Sequence, residues 1–207
     1  MKSSHSKTPK RKASEKAEAI LGGAMQEFMA HGYAAASMDQ IAGAAGVSKP
    51  TLYNYFQDKE SLFVALIEKL VQERFQDFFS AHQLQQQIPP GKGKMFLRQL
   101  AARILENSAN DPQFLDFLRI IFGESGRFPE LARTFVGTVK ATAFESITQL
   151  FANCRELKVK DPEVAARIFV GTIVHYIITQ KLLHGEEILE MDHERLIEGL
   201  IDCLTEK

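Results

Sequence analysis

Apolar residues recur three and four positions apart along almost the whole chain, which is the spacing of one face of an α-helix. The first such stripe belongs to a helix from Ser14 to about Ala30, and its inner positions are Ala17, Ile20, Leu21, Ala24, Phe28 and Met29. No segment shows the period-two alternation typical of a half-buried strand. The pattern therefore predicts an all-α protein with about nine helices.

Proline marks the start of several later helices. Asp111-Pro112, Phe128-Pro129 and Asp161-Pro162 each place proline in a first turn, where its missing N–H has no intrahelical partner. The predicted later helices cover about 58–82, 94–107, 112–125, 129–153, 162–184 and 193–204, with a glutamine-, proline- and glycine-rich loop over 85–93. The helix that begins at Pro162 is apolar nearly all round, so it must be covered on every side. A second copy of the chain is the simplest cover.

The segment 37–56 predicts two short helices joined by a tight turn. Ser37 and Gln40 have the spacing of a capping box, which starts the first helix. Gly46 stands where the chain must reverse, at a position that favours positive φ. Ser48 can cap the second helix, and Pro50 is tolerated in its first turn. This arrangement is typical of a helix-turn-helix.

The side chains of this helix pair divide into an inner and an outer set. The inner set is expected to contain Ile41, Ala44, Ala45, Leu52 and Phe56. The outer set contains Lys49, Thr51, Tyr53 and Tyr55, together with Lys59 at the start of the next helix. Lysine and threonine can bind base edges, and tyrosine hydroxyls commonly bind phosphates. These donors predict that the second helix reads the major groove of DNA.

Charge and composition further narrow the class of protein that this sequence can encode. The net charge is −1, yet residues 1–12 carry five basic side chains and no acid, which predicts a basic flexible arm. Such an arm can add phosphate contacts, or it can serve solubility alone. No apolar run reaches the roughly 18 residues of a membrane span, and no apolar segment follows the basic start as in a secretory signal. We therefore expect a cytoplasmic protein that does not enter a membrane.

Motifs for catalysis and metal binding are incomplete in this sequence. Gly123-Glu-Ser-Gly126 lacks the frame of a nucleophile elbow, and Gly91-Lys-Gly-Lys94 lacks the rest of a P-loop. His175, His184 and His193 recur every nine residues, a spacing that no compact metal site requires. The two cysteines form no metal-binding pattern and are expected to be buried free thiols. We predict no enzyme activity, no cofactor and no metal.

The N-terminal motifs resemble the DNA-binding domain of the TetR family of transcriptional regulators, from about Ala13 to about Leu70. The similarity rests on His31-Gly32-Tyr33, Ser37-Met38, Ile41-Ala42, Gly46-Val47-Ser48-Lys49-Pro50-Thr51-Leu52-Tyr53-Asn54-Tyr55-Phe56 and Lys59-Glu60-Ser61-Leu62. The resemblance implies base contacts from Lys49, Pro50, Thr51 and Tyr53, and phosphate contacts from Ser37, Tyr55 and Lys59. It also implies a helix-turn-helix domain at 13–57, a bridging helix at 58–82, and a ligand-binding and dimerisation domain at 83–207.

The C-terminal half resembles a subgroup of that family, the AefR-like regulators. The similarity rests on Gly123-Glu-Ser-Gly-Arg-Phe-Pro-Glu-Leu-Ala132, Asp161-Pro-Glu-Val-Ala-Ala166 and Arg167-Ile-Phe-Val-Gly171. The TetR resemblance implies that the last two helices pair with those of a second copy as a four-helix bundle. A two-fold dimer with recognition helices about 34 to 36 Å apart would bind a palindromic operator in double-stranded DNA.

Phenylalanine is concentrated in the C-terminal half, which suits a small apolar or aromatic effector but also suits an ordinary core. The candidate effector contacts are Phe114, Phe117, Phe135, Thr138, Thr172 and His175. Two functions follow from these features. The first is a homodimeric ligand-responsive repressor released by such an effector. The second is a constitutive or partner-controlled DNA-binding protein without a small-molecule effector.

Overall fold

The computed structural model describes residues 9–79, 88 and 91–205, and the side chains of 9–12 and 74–79 are outside that description. Throughout these ranges the regular structure is helical. The nine helices are α1 (Pro9–Ala35), α2 (Met38–Ala44), α3 (Lys49–Tyr55), α4 (Lys59–Phe79), α5 (Gly93–Ala109), α6 (Pro112–Glu124), α7 (Pro129–Val139, continued by the π-helical Lys140–Phe144 and by Glu145–Asn153), α8 (Pro162–Tyr176, continued by the π-helical Ile177–Leu182) and α9 (His193–Leu204). The predicted all-α class is confirmed.

Helix α1 begins earlier than the sequence pattern predicts. Its first residue is Pro9 rather than Ser14, so residues 9–12 of the predicted arm form the first turn of the helix. Proline favours such a position because its fixed φ suits a helix start and its missing N–H costs nothing there. Residues 1–8 of the arm lie outside the described residues, as do 85–87, 89 and 90 of the predicted loop.

The chain forms two compact units. The first contains the described residues up to Lys69 together with Ile120–Phe135, and the second contains Leu70–Arg119 and the described residues from Val136 onward. Residues 120–135, which the expected boundaries assign to the ligand-binding domain, therefore pack with the helix-turn-helix helices. Helices α4, α6 and α7 each contribute residues to both units.

The core of the first unit is built from α1, α2, α3 and the first part of α4. Its fully buried side chains include Ile20, Phe28, Ile41, Leu52, Leu62 and Ile67. The inner face of α1 includes Met25, whereas Met29 is 41% exposed, so the prediction for Met29 is wrong. The inner face of α2 includes Ala42, and the predicted Ala44 is exposed. Met25 and Met29 share one face of α1, but that face is no longer covered at Met29 near the end of the helix. In α2 the buried stripe is Ile41 and Ala42, because a helix of seven residues is too short for its pattern to define the inner face.

Helices α1 and α2 approach each other closely at a glycine. A Cβ atom placed on Gly23 would lie 2.7 Å from the backbone nitrogen of Ala45, which no real side chain tolerates. Gly23 is therefore required by the crossing of the two helices. This contact fixes the end of α2, next to the turn, against the first helix.

The second unit consists of helices packed around a core of phenylalanine and aliphatic side chains. Phe117 and Phe169 are fully buried, and the Phe169 ring packs edge-on against Phe151 at a centroid distance of 6.1 Å. Arg98 of α5 donates to Glu198 of α9 at 2.7 Å. Cys154 is half-buried and Cys203 is exposed, so the predicted burial of both thiols is wrong. In the described part of the chain, no helix combines the length and apolarity that crossing a membrane requires.

Candidate nucleic-acid interface

The helix pair α2–α3 is fixed by a reciprocal capping box at the start of α2 and by a side-chain cap at the start of α3. The Ser37 backbone N–H donates to the Gln40 side-chain oxygen at 3.0 Å, and the Gln40 N–H donates to the Ser37 hydroxyl at 3.3 Å. At the start of α3, the Thr51 N–H donates to the Ser48 hydroxyl at 3.4 Å. The predicted capping box and the predicted Ser48 cap are confirmed.

The turn between the two helices depends on Gly46. This residue has φ 63°, which is the left-handed region, and its N–H donates to the Gly43 carbonyl at 3.1 Å. The Val47 N–H donates to the Ala42 carbonyl at 3.0 Å, closing the turn. Leu52, completely buried, holds α3 against the core. The orientation of α3 is thus set by a turn, a cap and one buried side chain.

Three of the predicted base-contacting residues are exposed on α3. They are Lys49, Pro50 and Tyr53, and the Tyr53 side chain is 49% exposed although it is large and aromatic. Thr51 is half-buried beneath them, and its hydroxyl lies 2.8 Å from that of Ser48. These four side chains occupy the N-terminal part of the helix, which is where base contacts arise when a recognition helix enters the major groove.

Two predicted phosphate contacts use their hydroxyls inside the protein. Tyr55 donates to the Ala13 carbonyl of α1 at 3.2 Å, and Ser37 donates to Gln40 at 2.5 Å. Both residues are half-buried at the edge of the helix pair. Their phosphate contacts stay a prediction.

Lys59 has a structural role that the sequence pattern did not indicate. Its ammonium donates to the carbonyls of Tyr33, Ala34 and Ala36 at 2.6, 3.1 and 2.9 Å, which uses all three of its N–H donors. It also lies 4.6 Å from the centre of the Tyr33 ring. Burial lowers the pKa of Lys59. In this geometry Lys59 caps the end of α1, and its phosphate contact stays a prediction.

An aromatic cluster surrounds Tyr33 in the first unit. The Tyr33 ring contacts Phe63 and Phe128 at centroid distances of 4.9 Å each. The nearby Ala34 N–H donates to the Glu124 carboxylate at 3.4 Å. Residues 120–135 therefore hold the end of α1 through one ring contact and one hydrogen bond. No sequence pattern indicates this contact, because the partners are about ninety residues apart.

An ion pair joins α2 and α3 on the surface of the helix-turn-helix. The sequence pattern did not predict it. The Lys49 ammonium lies 2.5 Å from the Asp39 carboxylate, which projects from the first turn of α2. The two side chains are 60% and 57% exposed. The sequence signal that could have found it is an acid in the first turn of one helix and a base in the first turn of the next.

The predicted effector contacts have varied surroundings. Phe114 and Phe117 belong to the core of the second unit, where they are 6% and 0% exposed. Thr172 donates its hydroxyl to the Ile168 carbonyl at 2.8 Å, and His175 is exposed. Phe135 and Thr138 are half-buried in their respective units.

A groove of about 560 Å³ lies elsewhere in the second unit, between α7 and the start of α8. Its lining residues are Val136, Val139, Lys140, Phe144, Glu145, Thr148, Gln149, Glu163 and Arg167. The Arg167 guanidinium lies 5.0 Å from the centre of the Phe144 ring and donates to Glu163 at 2.8 Å. None of the six predicted effector contacts lines this groove.

A capped helix pair whose second helix carries exposed side chains on its outer face is typical of a DNA-binding transcription regulator. The family description "Bacterial regulatory proteins, tetR family" matches residues 20–66, and "AefR-like transcriptional repressor, C-terminal domain" matches residues 95–205. The protein therefore belongs to the TetR family of transcriptional regulators, with an AefR-like C-terminal domain. Both resemblances inferred from the sequence are confirmed.

Individual relatives agree with this assignment. The structure of the flavonoid-responsive regulator FrrA is 32% identical, covers 92% of this chain and 95% of its own, and has a TM-score of 0.73. A TetR-family regulator from Mesorhizobium loti shares the fold, at 24% identity, 96% and 97% coverage and a TM-score of 0.74. The HTH-type transcriptional activator FasR of Mycolicibacterium smegmatis is 46% identical over 52 residues, which is 25% of this chain and 24% of FasR. The chain thus aligns with about a quarter of that curated relative.

Proposed function

We propose that this protein is a ligand-responsive repressor that binds a palindromic operator as a homodimer and is released by a small apolar or aromatic effector. The observation that carries the proposal is the outer face of α3. Lys49, Pro50 and Tyr53 are exposed on a helix whose orientation is fixed by the Ser48 cap and by buried Leu52. A rigid helix with exposed donors suits base contacts in the major groove. Such a regulator acts in the cytoplasm.

The surface of α8 supports the homodimer. Its exposed apolar residues include Val164, Ile168 and Val174, which are 49%, 47% and 42% exposed in the single chain. The exposed positions 164, 168, 171 and 175 follow the spacing of one helical face. A second copy would cover this face by two-fold pairing, and the same symmetry would present two copies of α3 to a palindromic site.

The effector proposal draws on the groove between α7 and α8. A volume of about 560 Å³ lies within the range of roughly 300 to 1,000 Å³ that small-molecule sites occupy. Phe144 offers an aromatic face, and Lys140, Thr148 and Gln149 offer hydrogen-bonding groups. The relative FrrA is named as flavonoid-responsive, and an aromatic effector of that kind would suit such a lining.

The predicted inner contacts are the alternative effector location. They are Phe114, Phe117, Phe135, Thr138, Thr172 and His175. An effector at this location would have to open the core around Phe117, which costs free energy that binding must offset. Loss of the effector response in Arg167→Ala would favour the groove, whereas loss in Phe117→Leu alone would favour the inner location.

Release of DNA requires a conformational change that alters the affinity of the protein for both the effector and the operator. An effector lowers operator affinity by its differential affinity for a conformation in which the two copies of α3 have the wrong spacing. Helices α4 and α6 have residues in both compact units. The last turn of α6 carries Glu124, which binds the end of α1. We propose that these helices transmit the change.

Replacement of Tyr53 tests the DNA-binding face. The operator is first selected from randomised duplexes with the full-length protein. We expect Tyr53→Ala to lower affinity for the selected duplex at least roughly tenfold, because one buried base or phosphate contact is lost at the interface. Met29→Ala is the control, since Met29 is also large and exposed in the first unit. Unchanged binding by Tyr53→Ala, measured by fluorescence anisotropy, would refute the proposed face.

The second candidate function is a DNA-binding protein without an effector. The complete burial of Phe117 favours it, because a filled core leaves no space for a ligand there. A thermal-shift series with aromatic compounds, flavonoids among them, separates the two functions. A compound that binds the native protein raises its melting temperature, and a series with no such compound would favour the second function.

A further inference from the structure

The ion pair between Asp39 and Lys49 lies on the surface that α2 and α3 present to DNA. Asp39 is in the first turn of α2, and Lys49 is the first residue of α3, next to exposed Pro50. Their charged atoms are 2.5 Å apart although the residues are ten positions apart in the chain. The first turn of a helix favours an acid, but on a surface that binds DNA the phosphates repel it.

A surface ion pair of this kind contributes little to folding. Exposed pairs stabilise proteins by about 0 to 1 kcal/mol, and both side chains here are more than half exposed. Its consequence for DNA binding is larger. An unrestrained lysine ammonium on a flexible stem binds any nearby phosphate, which raises affinity for all sequences alike.

A carboxylate beside the ammonium changes this balance. It biases the ammonium toward one position and repels a phosphate that would otherwise approach it. The O6 and N7 atoms of guanine are uncharged acceptors in the major groove, and the carboxylate does not repel them as it repels a phosphate. The pair therefore favours a base edge over the backbone.

We propose that Asp39 is a positioning residue that determines specificity: its carboxylate directs the Lys49 ammonium to a guanine edge and withholds it from phosphates. The inference rests on the proposed operator binding and names a residue that neither the family motif nor the sequence pattern assigned. Asp39 acts through Lys49, and its removal relaxes the preference for one base pair in each half-site.

The test uses the full-length protein and duplexes selected from a randomised pool. We expect Asp39→Asn to bind unrelated duplexes more tightly and to lose roughly fivefold or more of its discrimination at one base pair. The dependence of affinity on salt should become steeper by about one in the logarithmic slope, because Lys49 now neutralises a phosphate. Asp39→Glu, which keeps the charge, should retain most of the discrimination.

Glu18→Gln is the matched control. Glu18 is also 57% exposed, also pairs with a lysine of the first unit, Lys69, and loses the same charge on substitution. This variant should keep the discrimination of the wild type. A second comparison uses Lys49→Gln as the background. Adding Asp39→Asn to this variant should change the base-pair discrimination no more than adding Glu18→Gln does.

Each outcome decides one of the proposals. Suppose that the wild type prefers its selected duplex and that Asp39→Asn shows the same discrimination and the same salt slope. That result would overturn the role of Asp39 and leave operator binding intact. Equal effects of Asp39→Asn and Glu18→Gln would reduce that role to net charge and overturn it as well. A wild type that prefers no duplex over random competitor would overturn operator binding itself.

Discussion

A single lysine closes the end of the first helix. Gly32 interrupts α1 with φ 75° and ψ 164°, and the carbonyls of Tyr33, Ala34 and Ala36 then converge on the Lys59 ammonium. Hydrogen bonds from a charged donor are stronger than neutral ones, so this one side chain satisfies three carbonyls that an irregular helix end leaves unpaired. The site also places a cation beside the Tyr33 ring.

Ionisation of Tyr33 makes the free energy of unfolding depend on pH in the alkaline range. Burial, with smaller effects from the charges of Glu60, Asp58 and Glu124, raises the pKa of Tyr33 from 10.0 to about 12. Between these values the unfolded chain loses the phenol proton and the folded chain keeps it, so the free energy of unfolding falls as pH rises. We expect the wild type to lose about 2 kcal/mol more than Tyr33→Phe between pH 10 and pH 12.

Urea unfolding of both proteins across this pH range measures the difference. The lowered pKa of Lys59 acts in the opposite direction, since the unfolded chain then binds more protons, but Lys59 is present in both proteins. Its contribution cancels in the comparison. Parallel pH profiles for the two proteins would mean that the Tyr33 hydroxyl ionises as easily in the folded state as in water.

The sequence predicted those site residues whose partners are near in the chain. Ser37 with Gln40 and Ser48 with Thr51 follow from spacing alone, and the structure contains both interactions. The carbonyls that Lys59 binds lie more than twenty positions away, and the partner of Asp39 lies ten positions away. The carbonyls that Lys59 binds leave no sequence signal, so that role required the tertiary structure. An acid and a base in successive first turns are a signal for the Asp39–Lys49 pair, but only the tertiary structure shows the two side chains in contact.

Among the helices, the ends were more predictable than the internal irregularities. Asp161 accepts from the N–H groups of Glu163 and Val164 at the start of α8, as an acid before proline predicts. The π-helical turns Lys140–Phe144 and Ile177–Leu182 were not predicted. A π-helical turn shifts the helix phase by a single residue, and an apolar period of three and four positions conceals that shift.

Two glycines near the turn between α2 and α3 allow a test of how backbone conformation affects stability. A Cβ at either Gly46 or Gly43 meets no atom within 4 Å, but only Gly46 has positive φ. We expect Gly46→Ala to lower the free energy of unfolding by about 1 kcal/mol through backbone strain alone. Gly43→Ala, inside α2, should raise it by up to about 1 kcal/mol through helix propensity. Thermal unfolding of the two variants measures the contrast, and a loss of stability in both would contradict it.

At the scale of the whole molecule, the proposed homodimer would use the exposed face of α8 as its interface. We expect Ile168→Glu to convert this proposed dimer into a monomer, because carboxylates from both copies would then be buried in an apolar contact. Met95→Glu is the control, since Met95 is 44% exposed on α5 and lies outside that face. Sedimentation velocity measures the state of each variant. A dimer that persists in Ile168→Glu would exclude this face of α8 as the interface.

The contact of residues 120–135 with the end of α1 has a practical consequence for protein engineering. A hybrid regulator made by grafting only the first seventy residues onto another sensor would leave Phe128 and Glu124 behind. The edge of the Tyr33 ring and the Ala34 N–H would then face solvent or a foreign surface. A transplant that keeps its affinity for its operator must therefore carry two separate pieces of this chain, the amino-terminal helices and the short span that supports them.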